Sequence, residues 1–132
     1  MARLKNWRAQ LSAAIEARRN VAMQWGVSDC GLTSADLAFA VCGVDYAARL
    51  RGYSTPEGAM RALRRAGFDN VTAFLDAHMP RTENPEPGDY VVVRDRPLDK
   101  TLIYGGPGFA WGQGPAGLER FALPANAKFW SV

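Results

Sequence analysis

The stretch from Cys30 to Cys42 constrains this chain most. It carries Leu32, Ala35, Leu37, Ala38, Phe39 and Val41 and is apolar nearly all round, so a helix there must be buried rather than lie on a surface. Ser28 and Asp29, just before it, are both good N-caps. Gly43, just after it, is a natural C-terminal stop. Cys30 therefore falls in the first turn of a buried helix.

Three further helices are expected around it. Residues 3–19 place Leu4, Trp7, Leu11, Ala14 and Ile15 at spacings of three and four, with Arg3, Lys5, Arg8, Glu16, Arg18 and Arg19 on the other face. Thr55-Pro56-Glu57 combines a hydroxyl cap, a proline at the first helical position and an acid, and predicts a helix running to about Ala66 and stopping at Gly67. A short helix follows over residues 71–79.

After Pro80 the pattern changes. Residues 84–89 read as loop, and Tyr90-Val91-Val92-Val93-Arg94 as a strand rich in β-branched residues. Residues 95–99, with Pro97, predict a turn into a second strand, Thr101-Leu102-Ile103-Tyr104. Gly105-Gly106-Pro107-Gly108 predicts a tight turn into a third strand from Phe109, and residues 118–123 and 128–132 offer two more. Short connections imply antiparallel pairing. The expected architecture is α+β: N-terminal helices packed on a small, meandering C-terminal sheet. A length of 132 residues, without repeats or a linker, predicts one domain over residues 1–132.

Charge and cysteine usage narrow the function classes. The net charge is +3, and the basic residues cluster at 3–19 and 61–65, which predicts solvated helix faces. No basic stripe with aromatic platforms points to nucleic acid. No stretch approaches a membrane span, and the N-terminus shows no signal-peptide pattern, so synthesis and folding in the cytoplasm are expected. Cys30 and Cys42, at the two ends of one helix, lie about 18 Å apart, too far for a disulfide. No Cys/His spacing suggests zinc, and no cofactor is implied. Gly105-Gly106-Pro107-Gly108 opens no helix, so it does not read as a phosphate cradle.

The chemistry centres on Cys30. A nucleophilic cysteine reacts as thiolate, and the positive end of a helix stabilises that charge while its free N–H groups can serve an oxyanion. A cysteine at a helix start is also commonly a small buried hydrophobe. Asp36 is too far along the helix to share the site and is expected to pair with an arginine. Asp45 and Asp89 read as caps or turn residues. His78, the one histidine, reads as a satisfied side chain near a helix end. Among the tryptophans, Trp25 or Trp111 is a candidate for lining a groove at Cys30.

Trp25-Gly26-Val27-Ser28-Asp29-Cys30-Gly31-Leu32, followed by Ala35-Asp36, Gly88-Asp89-Tyr90-Val91-Val92 and Lys100-Thr101-Leu102-Ile103-Tyr104-Gly105-Gly106, resembles the NlpC family of papain-like cell-wall cysteine peptidases over about residues 24–112. It resembles still more closely small proteins of that type encoded in phage and prophage tail modules, through the Arg51-Gly52-Tyr53 segment and Trp130-Ser131-Val132. The resemblance implies a papain-like fold, Cys30 as nucleophile with Asp29 beside it, peptidoglycan stem peptides as the ancestral substrate, and a place among tail-tip or tail-assembly proteins of a phage particle. It also implies a histidine opening the second strand. Here Lys100 or Thr101 stands at that position. Gln113 is the candidate for the third polar residue, with no histidine to orient. Lysine is a poor base near neutral pH unless strongly desolvated, and threonine is none.

Three readings follow: a tail-associated structural or adaptor protein with a degenerate site, a hydrolase using His78 or Lys100 as an unusual base, and a binding module for a wall peptide.

Overall fold

The computed structural model describes residues 2–95 and 99–132. Four helices come first: α1 (Trp7–Arg18), α2 (Cys30–Cys42), α3 (Pro56–Arg65) and α4 (Val71–His78). Six strands follow: β1 (Arg81–Thr82), β2 (Tyr90–Val93), β3 (Lys100–Gly106), β4 (Phe109–Gln113), β5 (Leu118–Ala122) and β6 (Lys128–Trp130). They form one antiparallel sheet in the order β1-β6-β2-β3-β4-β5. The arrangement is α+β, with N-terminal helices and a C-terminal sheet. Among the described residues no helix is long and apolar enough to cross a membrane.

The local signals act as their chemistry requires. Asp29 caps α2 by accepting from Leu32 N at 2.9 Å, and Gly43 closes it in the left-handed conformation at φ 76°. Thr55 caps α3 through Gly58 N, and Asn70 caps α4 through Ala73 N. Helix α1 begins later than expected. Leu4 N bonds to Val41 O, and Arg3 is engaged with the sheet, so residues 2–4 stay outside the helix and the chain turns at Lys5 and Asn6 before it begins. Leu4 is exposed in consequence, and Leu11 is the one buried residue of α1.

Helix α2 is the central element. It packs on α1, β3 and β4. Leu37 and Val41 join Tyr90, Val92, Ile103 and Trp130 in the main core, on one face of the sheet. The burial is incomplete, because Phe39 is half exposed. On the opposite face of the sheet, Val91, Leu102 and Ala110 are covered by Tyr104, Phe121 and Phe129. Burial on both faces explains why β2 reads as a continuous apolar run.

The sheet is not a simple meander. Strands β2 to β5 follow one another, but β6 returns to pair with β2 on its other edge, Tyr90 opposite Trp130. The two-residue β1, in a stretch for which the sequence predicted no element, then pairs with β6. Strand β3 runs on into Gly105-Gly106, with a register shift between Tyr104 and Gly106, so the turn proper is shorter than expected. The turn expected over residues 95–99 falls partly on residues 96–98, outside the described residues.

Asp89 ties the fold together. Its carboxylate accepts from Arg3 Nη2 at 2.7 Å, Val132 N at 2.9 Å and Glu86 N at 2.9 Å. Arg3 also donates to Pro87 O and Val132 O. Asp89 is thus an ion-pair anchor as well as the turn residue expected from sequence, and Arg3 is a buried partner rather than part of a solvated face.

Candidate functional site

Cys30 is the first residue of α2, half-buried, with a free thiol. The first turns of α2 are fixed to the sheet by two side-chain bonds. Ser34 Oγ donates to Thr101 O at 2.9 Å, and Thr33 Oγ1 donates to Gln113 Oε1 at 2.8 Å. These bonds hold the start of α2 against the beginning of β3 and the end of β4, which sets what faces the thiol.

The backbone amide of Thr101 is directed at the sulfur, and Thr101 and Cys30 line one cavity. The strand alternates: Thr101 and Ile103 point to the helix side, and Lys100 and Leu102 to the other. Lys100 Nζ sits over the Phe121 ring, 4.3 Å from its centroid, and 3.8 Å from Asp95 Oδ2. Of the two residues that the resemblance left open, Thr101 therefore occupies the position opposite Cys30.

Burial pushes the Cys30 thiol pKa up, and the nearby Asp29 charge adds to that; the backbone amides of Thr101 and Gly31 and the Lys100 charge act the other way without reversing it. The expected thiolate stabilisation by the helix start is present but outweighed. Removing a group from water disfavours its charged form, and a carboxylate beside a sulfur disfavours a second negative charge.

Asp29 is fully buried and is a structural hub. One oxygen accepts from Leu32 N, and the other from Gly26 N at 2.9 Å and Tyr53 Oη at 2.7 Å. Gly26 lies at φ 81°, and a Cβ there would collide with the Tyr53 carbonyl. The Trp-Gly-x-x-Asp-Cys opening and the Arg51-Gly52-Tyr53 segment are thus two halves of one hydrogen-bonded unit. Burial, together with the bond to Asp29, raises the Tyr53 pKa far above its ordinary value. Asp29 holds the loop and the helix start; it does not activate the thiol.

Gln113 is engaged in structure. Its amide accepts from Thr33 and donates to Val21 O at 2.8 Å and Gly114 O at 2.9 Å. His78 lies elsewhere, with Nδ1 2.7 Å from Phe74 O and its ring against Phe74, Phe68 and Tyr46. Neither Gln113, His78 nor Lys100 lines the cavity that opens at Cys30. Asp36 pairs with Arg18 and with Arg51, as expected for a residue facing away from the thiol.

That cavity has a volume of about 260 Å³. Its walls are mostly apolar, with Leu50, Met60, Leu63, Val71 and Phe74 among them, and Trp25 at Cys30. Trp111 does not line it. Sequence reasoning missed the contribution of α3 and α4, because Met60, Leu63 and Val71 carry no chemical signal; only their convergence on Cys30 does. Among the described residues no cluster of His, Cys, Asp or Glu is placed to hold a metal ion.

No curated protein and no solved structure matches this chain. The model of a family described as a domain of unknown function (DUF6950) matches residues 2–132, and the chain belongs to that family.

Proposed function

We propose that this chain is a non-hydrolytic protein of NlpC-like, papain-like descent that works as a structural or adaptor component of a phage or prophage tail. The observation that carries the loss of hydrolysis is the pairing of Cys30 with Thr101. A Cys-type amide hydrolase needs a base to generate thiolate and an acid to protonate the leaving amine. Threonine supplies neither, Gln113 is committed to Thr33, Val21 and Gly114, and the thiol pKa is raised rather than lowered. The tail setting rests on the resemblance of the Trp25–Leu32, Gly88–Val92 and Trp130-Ser131-Val132 motifs to tail-module proteins.

The apolar cavity at Cys30 supports retention of the cleft as a holding site for an apolar side chain of a peptide-like segment, such as one from a wall peptide or a neighbouring tail protein. Concave apolar pockets with a few polar groups are the usual form of such sites.

Alkylation of Cys30 by iodoacetamide in a Cys42→Ala background tests the catalytic part. The rate is expected to keep rising beyond about pH 8.5, the ordinary cysteine range. A plateau well below that value, or release of stem peptides from peptidoglycan that Cys30→Ala abolishes, would overturn it. Co-purification with tail proteins tests the setting, and a chain recovered only as a free monomer from a phage-producing lysate would count against it.

A further inference from the structure

A second depression adjoins the Cys30 cavity, sharing Tyr46, Leu50, Tyr53 and Phe74 with it, and lies between residues 44–55, α3 and the aromatic cluster at His78. Its volume is about 1230 Å³. Its charge is one-sided. Arg49, Arg51, Arg61 and Arg65 line it against one carboxylate, Asp45, and Arg51 already occupies that carboxylate with bonds of 3.0 and 3.1 Å. Among the described residues no Asp or Glu stands within ion-pair distance of Arg49, Arg61 or Arg65.

Chance does not readily explain this placement. Arg61 and Arg65 are four apart on α3 and so share a face, where like charges destabilise a helix. Arg49 comes from a separate segment and lines the same depression. Arg65 also sits in the last turn of α3, where a cation complements the helix dipole, but that reason covers neither Arg61 nor Arg49. Arg64, in the same turn, does not line the depression.

The floor is apolar. Phe68, Phe74 and His78 pack ring against ring, with centroid separations of 4.3 to 5.9 Å, and Val44 and Leu50 extend that surface. Guanidinium groups around an aromatic floor are the composition of a protein-binding hot spot, and arginine pairs with carboxylates in a bidentate fork. The depression is larger than the usual 300–1,000 Å³ or so of small-molecule sites, which favours a chain segment over a single anion.

We infer that this depression binds an acidic peptide segment of a partner protein, with its carboxylates on Arg49, Arg61 and Arg65 and an apolar side chain on the Phe68–Phe74–His78 floor. The inference is independent of any chemistry at Cys30.

The test is fluorescence-anisotropy titration of the full chain with a labelled peptide of alternating glutamate and phenylalanine. Arg49→Glu and Arg61→Glu are each expected to weaken binding about tenfold, the loss of one or two charge-assisted bonds, while Arg64→Glu, with the same net charge, leaves it unchanged. All three positions are exposed, and equal melting temperatures establish that the variants fold. Binding is also expected to weaken as salt rises, and a glutamine–phenylalanine peptide is expected not to bind. Equal loss in Arg64→Glu would make the effect one of overall charge and overturn the site. Binding of the glutamine peptide, no binding of the acidic peptide, or tighter binding of inorganic pyrophosphate or duplex DNA than of the peptide would overturn it as well.

Discussion

At the scale of single residues, the site is governed by what desolvation and neighbours do to Cys30. Its folded pKa lies above its unfolded value, so the native state favours the neutral thiol. That contribution to stability is present below about pH 8.5 and is lost as pH rises through the folded pKa. Urea midpoints of the wild type and Cys30→Ala should therefore converge or cross above that pH, and a constant difference from pH 6 to 10 would refute the shift. Asp29 is the costlier residue to lose. Asp29→Ala would strand Gly26 N, Leu32 N and Tyr53 Oη, each a desolvation cost of about 1–3 kcal/mol, so a loss of about 3 kcal/mol or more is expected in urea denaturation. Tyr53→Phe removes one of those partners and should cost about 1 kcal/mol. The Asp29-Cys30 pair was legible in the sequence as a capped helix start; that its carboxylate serves Gly26 and Tyr53 was not, because Tyr53 is brought to it by the fold.

At the scale of elements, caps and turns follow local chemistry closely. Every helix after α1 starts at a side-chain cap; those of α2 and α3 were expected from sequence, and Asn70 adds the cap of α4. Thr55→Ala should cost about 1 kcal/mol, read as a lowered melting temperature. Gly26→Ala should cost more, about 2 kcal/mol or above, since it adds left-handed strain to a collision with the Tyr53 carbonyl. A Gly26→Ala variant as stable as the wild type would mean that the loop can re-form without its bond to Asp29. The elements misjudged from sequence are those fixed by distant partners. The N-terminal end of α1 is displaced by Arg3 reaching Asp89, and β1 exists only because β6 returns beside it.

At the scale of the whole molecule, ion pairs between distant segments close the structure. Arg3 and Asp89 form a nearly buried pair, with side chains 10% and 2% exposed. Removing one partner of such a pair leaves a buried charge and costs about 3–5 kcal/mol, so Arg3→Ala should unfold at clearly lower urea than Arg3→Ala combined with Asp89→Asn. Asp76 joins α4 to β6 and β1. It accepts from Arg81 and from Trp130 Nε1 at 3.0 Å, and these bonds hold its pKa down at about 2. Its contribution is present above the unfolded carboxylate value of about 3.9 and fades as pH falls through the folded value. The melting-temperature gap between wild type and Asp76→Asn should therefore shrink from pH 5 to pH 2, and a gap independent of pH would contradict the assignment.

What the sequence by itself determined is what short-range chemistry controls. The capped, apolar helix from Cys30 to Cys42, the caps of α3 and α4, and the β-branched run at Tyr90–Val93 follow from residues within a turn or a strand of one another. Alternation along β3 was local as well, but the choice between Lys100 and Thr101 was not. Which of them faces Cys30 depends on where α2 is anchored on the sheet, through Ser34 to Thr101 and Thr33 to Gln113. The return of β6 to β2, the cavity built from Met60, Leu63 and Val71, and the gathering of Arg49, Arg61 and Arg65 around one depression likewise belong to the tertiary structure alone. Each joins segments far apart in the chain, and no local pattern encodes a contact whose two sides are specified separately.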